Sequence, residues 1–380
     1  MKVAHLCLSC FYIDDYRYQE NELVREHVES GHDVLVLAST ETYRDNMTLG
    51  YIAPGRYMGT DGAIVHRLEY SGIGPFFLKK KLRVHSQVSA LLNQFQPDVI
   101  MFHGLCGWEL ITAAHYKSLH PEVLLYVDSH EDANNSGVSR LANLLHRYYY
   151  RPIIQRALPW IDKVLCISLE TMDFCRSKYG IPDEMMEFFP LGGFIADDTT
   201  YAKLRSKTRE ALGLGSHQTV FLQSGKLDVK KRLVDSLKAF SSTTSENFVF
   251  LIIGRLHASI EDEVGYLSSK DSRIRHLGWK TADELYEFLC AADVYVQPGS
   301  QSATMQMSLC ARCPVMIADV PSHQPFVEGN GWKTSSVEDQ IAAFDAVEKN
   351  PAILDEMSIR SFEIASKLLD YRRMAARLLS

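Results

Sequence analysis

Asp33-Val-Leu-Val-Leu-Ala38 places five apolar residues in succession, after a helical pattern at residues 20–30 and Gly31, which is suited to end that helix. A strand that is apolar on both faces is typical of a parallel sheet covered by helices on each side. With the strand pattern at residues 2–8, this run completes a strand–helix–strand unit. The start of the chain therefore predicts a doubly wound α/β fold.

The alternation of strands and helices continues and then begins again. Strands are predicted at residues 98–102, 123–127 and 163–167, with a long helix at 139–157. After Pro190-Leu-Gly-Gly193 and a polar stretch to Ser216, strands are predicted at 219–223, 248–253, 273–276, 294–297 and 315–318, with helices between them. We expect two Rossmann-like domains facing a cleft, residues 1–190 and 191–360, and a C-terminal helix at 361–380 that packs back on the N-terminal domain.

The composition narrows the class of protein. A chain of 380 residues with 46% hydrophobic and 23% charged residues can form two cores. A formal net charge of −7 argues against a protein that coats nucleic acid. The eight cysteines are scattered, as in reduced cytoplasmic proteins, and the two CxxC pairs lack a zinc-ribbon turn. The apolar start is too short to span a bilayer, so we expect no membrane insertion. Because the CxxC pairs lack that turn, we also expect no bound metal.

A cation-rich loop, Ser224-Gly-Lys-Leu-Asp-Val-Lys-Lys-Arg232, follows one predicted strand and leads into a helix. Amides at a helix start and nearby ammonium groups both attract anions. Lys226 and Lys231 can therefore hold a diphosphate and stabilise the charge that grows on it as a bond to it breaks. A solvated helix start has the same composition, but the position between strand and helix favours the anion site.

A second polar loop, Gln297-Pro-Gly-Ser-Gln-Ser-Ala-Thr-Met-Gln-Met-Ser308, also lies between a strand and a helix. The amides of Gln301 and Gln306 can exchange hydrogen bonds with hydroxyl groups, and the backbone amides of residues 302–305 can face a phosphate. A plain turn with an N-cap serine has the same pattern. This loop alone does not decide between the two interpretations.

Two histidines follow predicted strands of the N-terminal half. His130 lies in Asp128-Ser-His-Glu-Asp132, and His103 lies in Phe102-His-Gly104. Ligands bind at the carboxyl ends of strands in sheets of this kind, so an imidazole there can meet a reacting group. A single histidine is more often structural. His130 is the first candidate for chemistry, and His103 is the second.

Three familiar phosphate-binding patterns are absent from the sequence. The chain has no Asp-x-Asp triplet, no GxGxxG after a strand and no GxxxxGK[ST]. These absences argue against a carboxylate-held metal at a diphosphate, a dehydrogenase and a P-loop NTPase. We therefore expect Lys226, Lys231 and backbone amides to balance the charge of a bound phosphate.

The segment Gly225-Lys-Leu-Asp-Val-Lys-Lys-Arg-Leu-Val-Asp-Ser-Leu-Lys-Ala-Phe240 resembles the G[RK]LxxxKGxxxLIxAF motif of family-4 glycosyltransferases with the GT-B fold. Further matches to the family occur in its order and spacing, at Gly254, Leu277-Gly-Trp279 and Ala291-Ala-Asp-Val-Tyr-Val-Gln-Pro298. Three segments of the N-terminal half are also similar to the family. The family's first helix resembles Tyr18-Gln-Glu-Asn-Glu-Leu23, and the GHEV sequence at its end resembles Ser30-Gly-His-Asp-Val34. The family's PDVIH strand resembles Pro97-Asp-Val-Ile100. The similarity runs along nearly the whole chain.

This resemblance implies an enzyme that moves a sugar from a nucleotide diphosphate donor to an acceptor, with retained anomeric configuration and no required metal or other cofactor. Lys226 and Lys231 stand where the family's cations bind the diphosphate, and His130 where its histidine contacts the transferred sugar. The implied donor site comprises Gly225, Trp279, Gln301, Ser302, Ala303, Thr304, Met305 and Gln306. The implied acceptor side comprises Tyr18, Gln19, Asn21 and His103.

The main departure from the family lies in its E-x7-E motif. This chain reads Gln301-Ser-Ala-Thr-Met-Gln306 there, with neither glutamate and a shorter loop. We expect Gln301 to replace the carboxylate near the sugar hydroxyls and Gln306 the one at the ribose. Glutamine keeps the hydrogen-bonding reach but loses the charge. Two alternatives stay open: a catalytically silent GT-B protein that binds a nucleotide sugar, and a nucleotide-sugar epimerase.

Phe76-Phe-Leu-Lys-Lys-Lys-Leu-Arg83 sets aromatic and basic residues together in the expected acceptor domain. Such a patch can dock on anionic lipid, which fits a glycan or lipid-linked acceptor in surface polysaccharide or glycoconjugate synthesis. The alternative is a solvated helix face with Phe76 and Phe77 in the core. We expect a cytoplasmic protein with peripheral contact at the inner face of the membrane, and no nucleic-acid partner.

Overall fold

The chain forms two structural units. The computed structural model describes residues 1–44, 48–132, 139–300 and 302–380. The N-terminal domain comprises Met1–Pro190 with Tyr371–Ser380, and the C-terminal domain comprises Leu191–Asp370. Each domain has its own largely parallel sheet. The prediction of an α/β fold with two Rossmann-like domains is confirmed.

An eight-stranded sheet and a short hairpin form the strands of the N-terminal domain. They are β1 (Lys2–Cys7), β2 (Asp33–Ser39), β3 (Glu41–Tyr43), β4 (Leu49–Tyr51), β5 (Gly55–Met58), β6 (Ile64–Leu68), β7 (Val99–His103), β8 (Leu124–Ser129), β9 (Lys163–Cys166) and β10 (Met186–Phe188). The large sheet has the order β10-β9-β8-β7-β1-β2-β6-β5, and β3 pairs with β4. Only the β5–β6 pair of the large sheet is antiparallel.

Eight α-helices belong to the described part of the same domain. They are α1 (Gln19–Glu29), α2 (Phe76–Leu82), α3 (Val88–Phe95), α4 (Glu109–Leu119), α5 (Arg140–Leu145), α6 (Arg151–Ala157), α7 (Leu169–Phe174) and the last helix of the chain, Tyr371–Arg377. Two π-helical turns, His146–Tyr150 and Cys175–Tyr179, follow α5 and α7. Two 3₁₀ turns occur at Leu158–Trp160 and Asp183–Met185.

The two faces of the N-terminal sheet are both buried. Leu35 and Leu37 of β2 belong to one hydrophobic cluster. Val34 and Val36, which point to the opposite face, belong to another. The uninterrupted apolar run of β2 thus fills two cores at once, which explains why its sequence does not alternate.

The C-terminal domain repeats this plan with a fully parallel sheet. Its strands are β11 (Thr219–Leu227), β12 (Phe248–Leu256), β13 (Ile274–His276), β14 (Val294–Gln297), β15 (Val315–Ala318) and β16 (Gly331–Thr334). The order is β13-β12-β11-β14-β15-β16. Its helices are α8 (Asp198–Ala211), α9 (Leu233–Ser241), α10 (Ala258–Lys270), α11 (Ala282–Ala291), α12 (Ala303–Cys310), α13 (Val337–Lys349) and α14 (Ile353–Leu368), with 3₁₀ turns at Val229–Lys231 and Pro321–Phe326.

The predicted helix at residues 139–157 is not one regular α-helix. The π-helical turn His146–Tyr150 separates α5 from α6. Within that turn, His146 contacts Tyr179 through a hydrogen bond of 2.7 Å between Nδ1 and the hydroxyl. The hydroxyl of Tyr149 donates to the carbonyl of Leu82 at 2.8 Å. The extra residue per turn lets side chains meet partners that a regular helix would not bring within reach.

Helix α8 lies in the polar stretch before Ser216, for which no element was predicted from the sequence. Ion pairs, rather than an apolar stripe, attach this helix to the rest of the domain. Arg205 and Arg209 both pair with Asp293, and the Asp293 carboxylate also accepts the Val220 amide at 2.7 Å. Since these partners lie more than eighty residues away, no local hydrophobic period marks the helix.

The predicted single helix over residues 361–380 is also wrong, because the helix is interrupted between Leu368 and Tyr371. There the Gly193 amide donates to the Leu369 carbonyl at 2.7 Å, and Gly193 forms a parallel bridge with Asp370. These contacts with Gly193 take the place of the backbone hydrogen bonds that would continue the helix. The last helix, α15 (Tyr371–Arg377), then packs within the N-terminal domain.

No helix in the described ranges combines the length and the apolar character that a bilayer crossing requires.

Candidate functional site

The two polar loops of the C-terminal domain lie together. They lie at the carboxyl ends of β11, which extends to Leu227 and so includes the first residues of the predicted loop, and of β14, its neighbour in the sheet. The Ser300 amide donates to the Lys230 carbonyl at 3.0 Å, and the ammonium group of Lys231 donates to the Ser300 carbonyl at 2.8 Å. A Cβ on Gly299 would lie 2.1 Å from the Lys230 carbonyl oxygen, so only glycine permits this approach.

Lys231 is a half-buried cation at the junction of the two loops. Desolvation lowers the pKa of Lys231, and the nearby Asp228 carboxylate opposes that shift. Asp228 also caps the 3₁₀ turn by accepting the Lys231 amide at 3.3 Å, and Gln223 donates to the Lys231 carbonyl at 2.8 Å. The backbone is therefore fixed, and the partly dehydrated ammonium group would gain from an anionic ligand.

A pair of cations lies near the ends of β11 and β12. The register pairs Gly225 with Gly254 and Lys226 with Arg255. Side chains of register partners share one face of a sheet, so both exposed cations lie on the same side. Sequence reasoning missed Arg255. A signal was present, because both strands end with a glycine, a cation and a leucine.

The two glycines have nearly the same backbone conformation, with φ of +133° and +134°. A Cβ on Gly254 would lie 1.9 Å from the Gly225 carbonyl oxygen, whereas a Cβ on Gly225 would meet no atom within 4 Å. The Gly254 amide donates to the Gly278 carbonyl at 2.8 Å. This bond attaches the loop of Trp279, whose side chain is 61% exposed, next to the paired glycines.

The start of α12 offers fewer amides than predicted. Ser302 caps the helix, and its hydroxyl accepts the Thr304 amide while its carbonyl accepts the Met305 amide. Those two amides are engaged inside the turn, which leaves the amides of Ser302 and Ala303 as candidates for a phosphate. Gln306 is 2% exposed. Gln301 lies outside the described residues.

In the N-terminal domain, His130 follows β8 and lies beside a buried carboxylate. Its Nε2 is 3.7 Å from Oδ2 of Asp128, and its side chain is 32% exposed. Desolvation lowers the pKa of His130, but the Asp128 carboxylate outweighs this effect and the pKa is raised. Burial alone would raise the pKa of Asp128; the facing imidazoles of His103 and His130 instead hold it well below its usual range.

The expected acceptor-side residues do not share one environment. His103 is fully buried, which corrects the expectation that it reaches an acceptor. Gln19 and Asn21 are buried in the first turn of α1, where Asn21 donates to the Ile13 carbonyl at 3.0 Å. Tyr18, which precedes α1, is 38% exposed. Of these four predicted residues, Tyr18 alone presents its side chain to solvent.

His103 is instead part of a buried chain of imidazoles. Its Nδ1 lies 2.5 Å from Asp128 Oδ2, and its Nε2 lies 2.9 Å from Nδ1 of His5. Nε2 of His5 lies 3.0 Å from Nδ1 of His27, and Nε2 of His27 lies 3.0 Å from the carbonyl oxygen of Ala375. Sequence reasoning missed this chain, because its members share no motif.

Three potential metal ligands converge among the residues that the structure describes. They are Cys106, Glu131 and His146, whose ligand atoms lie within 4.8 Å of one another. The Tyr179 hydroxyl bonds to all three, at 3.0, 2.7 and 2.7 Å respectively. Burial raises the pKa of the Cys106 thiol. A hydroxyl at the centre and a protonated thiol form a hydrogen-bonded cluster that does not fit a cation.

The comparisons with known proteins agree with this architecture. Residues 21–192 match the family model Glycosyltransferase Family 4. No curated protein matches the chain. Similar solved structures include sucrose-phosphate synthase of Thermosynechococcus elongatus, with 14% identity, TM-score 0.65 and 99% of this chain and 97% of that chain covered. HepE of Anabaena in complex with UDP has 15% identity, TM-score 0.64 and coverage of 100% and 98%. WaaG, a glycosyltransferase involved in lipopolysaccharide biosynthesis, has 14% identity, TM-score 0.59 and coverage of 99% and 98%.

At such low identity the structural likenesses establish the fold, and that fold is GT-B. The family match adds the activity. The chain is a glycosyltransferase of the GT-B fold, with a family-4 domain at residues 21–192. The predicted family and enzyme class are thus confirmed.

Proposed function

We propose that the protein is a retaining glycosyltransferase that moves a sugar from a nucleotide diphosphate sugar to a glycan or lipid-linked acceptor of a surface polysaccharide or glycoconjugate. One observation carries the donor half of this proposal. The Lys231 ammonium group lies at the junction of the loops after β11 and β14, 2.8 Å from the Ser300 carbonyl, in a partly dehydrated position. Such a cation suits a diphosphate.

The donor proposal also rests on the neighbouring strand ends. Lys226 and Arg255 share one face of the sheet, and Gly225 beside them leaves the backbone open to close approach. HepE, which has the same fold, was solved with UDP. We assign the diphosphate to Lys226, Lys231 and Arg255. Trp279, which is exposed, is proposed to contact the rest of the donor, whereas the buried side chain of Gln306 does not reach solvent.

In the proposed reaction, the nucleotide diphosphate is the leaving group. The bond between the anomeric carbon and the phosphate oxygen breaks, and the acceptor oxygen forms its bond on the same face of the sugar. The acceptor proton passes to the departing diphosphate. Lys226 and Lys231 stabilise the charge that develops there, so the proposed reaction needs no metal and no other cofactor. We assign contact with the transferred sugar to His130.

A donor screen with two matched lysine variants tests the proposal. Nucleotide sugars are first compared by thermal shift, and the donor that stabilises the protein is then used in transfer assays. Lys231→Ala should lower kcat/KM for that donor about 10- to 100-fold, which corresponds to the usual contribution of a hydrogen bond to a charged group. Lys230→Ala removes the same charge from an exposed neighbour and should change kcat/KM less than about threefold.

Three results would count against the proposal. An equal loss of stability and donor use in Lys231→Ala would make the residue structural. Stabilisation by a nucleotide sugar without transfer to any acceptor would favour the silent binding protein. Conversion of the sugar nucleotide into its epimer with no acceptor present would favour the epimerase.

Helix α2 supports a peripheral membrane contact as part of the same function. Ile73, Phe76 and Phe77 are 97%, 51% and 70% exposed, so the alternative that placed both phenylalanines in the core is wrong. Lys79, Lys80 and Lys81 follow on the same short helix. Lys80 is tied to the buried Glu41 carboxylate at 2.6 Å. Exposed apolar side chains beside lysines suit the headgroup region of an anionic bilayer.

Sedimentation with liposomes tests this contact. Phe77→Ser should reduce binding to vesicles that contain acidic lipid by about threefold or more, since a buried aromatic ring contributes more than 1 kcal/mol. Leu141→Ser changes a residue that is 79% exposed elsewhere in the domain and should leave binding unchanged. Equal sedimentation of all three proteins, or binding that ignores acidic lipid, would remove the idea.

A further inference from the structure

The buried imidazole chain begins at a carboxylate and ends at a backbone carbonyl. Asp128 Oδ2 accepts a hydrogen bond from His103, and the carbonyl oxygen of Ala375 accepts one from His27. The bonds from His103 to His5 and from His5 to His27 complete the sequence. His5 and His103 are fully buried and His27 is 1% exposed, so water does not replace any of these partners.

The two ends of this chain determine how many protons it contains. A carbonyl and a carboxylate only accept, so each of the four hydrogen bonds needs its own proton on an imidazole nitrogen. Three neutral imidazoles supply three protons. One extra proton is therefore required, and one ring of the chain is an imidazolium.

The surroundings decide which ring holds the extra proton. His103 adjoins the Asp128 carboxylate, which also accepts the Gly104 amide at 2.8 Å and so stays ionised. Desolvation lowers the pKa of His103, but Asp128, with smaller contributions from Cys7 and Glu20, raises it to about 10. Burial lowers the pKa of His27 to about 4, and the neighbouring His32 adds to that shift.

We propose that His103 is a permanent imidazolium paired with Asp128, and that this buried pair is a positioning device for His130. The carboxylate is shared, since its Oδ2 faces His103 at 2.5 Å and Nε2 of His130 at 3.7 Å. The imidazolium keeps Asp128 ionised and oriented, and the carboxylate in turn holds the His130 ring and favours its protonated form. The role of His130 in transfer rests on the proposed function, but the charge on His103 does not.

The variant Asp128→Asn removes the negative charge at this position and keeps the size and shape of the side chain. The Asn oxygen can still accept the Gly104 amide, while its NH₂ group then faces Nδ1 of His103, which must give up its proton and accept. His103 keeps the proton on Nε2 that bonds to His5. All hydrogen bonds of the chain are preserved, and only the ion pair is lost.

The experiment uses the full-length chain with ¹⁵N-labelled histidine and follows the ring nitrogens by NMR from about pH 6 to 8, around the usual imidazole pKa. In the unmodified protein, His103 should show two protonated nitrogens throughout this range. In Asp128→Asn, it should show one protonated and one bare nitrogen, and the pKa of His130 should fall. His32→Gln, next to the chain but outside it, should change neither signal.

The outcomes are distinct. A neutral His103 in the unmodified protein overturns the proposed charge, and this measurement does not require the variant to fold. An unchanged His130 titration in Asp128→Asn overturns the positioning role. With the donor from the thermal-shift screen, that variant should lower kcat on the order of tenfold while KM for the donor stays within about twofold. A loss confined to KM contradicts positioning, whereas failure to find any donor concerns the proposed function and leaves the NMR result standing.

Discussion

His130 is the partly exposed member of a group whose other members are buried. Its side chain is 32% exposed, whereas Asp128 and His103 are at most 1% exposed. A residue that touches substrate must reach solvent, so His130 is the member that can meet a bound sugar. Asp128 and His103 act behind it, by fixing its charge and orientation.

Replacement of this imidazole should affect turnover rather than folding. His130→Ala removes a hydrogen-bonding group whose protonated form the Asp128 carboxylate favours, and we expect kcat to fall about 10- to 100-fold. Nucleotide binding, measured by titration calorimetry, should change less than about threefold, because the proposed diphosphate contacts lie in the other domain.

His115→Ala provides the matched control. This histidine is exposed on α4 of the same domain, and its loss should leave kcat unchanged. Turnover in His130→Ala equal to that of the control would exclude His130 from the chemistry.

At the scale of single residues, sequence reasoning located those that stand in contiguous motifs. His130 directly follows β8, Lys226 lies in the last residues of β11, and Lys231 lies shortly beyond them; a strand end is visible in the sequence. It could not tell that His103 is buried, because His103 and His130 have the same local context. Only the packing of β1 and α1 around His103 separates the two.

Among the elements, the paired strands β11 and β12 shape the proposed phosphate site. Their register places two glycines with positive φ side by side and two cations beyond them. The glycines are not equivalent, since a Cβ on Gly254 would strike the Gly225 carbonyl and a Cβ on Gly225 would meet nothing. This asymmetry gives a matched pair of variants.

Gly254→Ala should destabilise the C-terminal domain by about 3 kcal/mol or more, because backbone strain adds to a clash with main-chain atoms that cannot rotate away. Gly225→Ala carries only the conformational strain and should cost about 1–3 kcal/mol. Chemical denaturation of both variants measures the difference. Equal losses would mean that the two strand ends do not approach as closely as the structure shows.

Helix boundaries show where element prediction fails. Strands β14 and β15 have the bounds that the sequence predicts, because their apolar runs are bounded by loop residues. The π-helical turn at His146–Tyr150 and the polar helix α8 were missed. Both are stabilised by distant side chains, Tyr179 for the turn and Asp293 for α8, and such partners leave no local period.

For the whole molecule, the end of the chain stabilises its beginning. Tyr371, Met374 and Leu378 of the C-terminal segment are buried with Leu23, Met101, Leu165 and Phe189 in one hydrophobic cluster of the N-terminal domain. Arg377 forms an ion pair of 2.6 Å with Glu187, and the Ala375 carbonyl closes the imidazole chain. The N-terminal domain is thus completed only after the C-terminal domain has been made.

Removal of residues 371–380 should therefore destabilise the N-terminal domain selectively. Three large buried side chains at about 1.5–3 kcal/mol each give a loss on the order of 5 kcal/mol, which is comparable to the stability of a typical domain. Hydrogen exchange should show lost protection in β1, β7 and β9, with protection retained in β11 and β12.

Removal of residues 379–380 alone is the control, since it keeps every member of the cluster. Uniform loss of protection in both domains, or none in either, would contradict a local role for the C-terminal helix.

The sequence by itself determined the alternation of strands and helices, the two-domain plan and the cation-rich loop after β11. These features depend on which neighbours along the chain are apolar, charged or glycine, so contiguous residues are enough to specify them. Only the tertiary structure decided that Arg255 joins Lys226, that Ser300 accepts from Lys231, and that a carboxylate and three imidazoles form one buried chain. Those contacts join residues that lie from 22 positions apart, for His5 with His27, to 348 positions apart, for His27 with Ala375. A hydrogen bond across such a separation is fixed by strand register and helix packing, and it leaves no trace in the local pattern of residues.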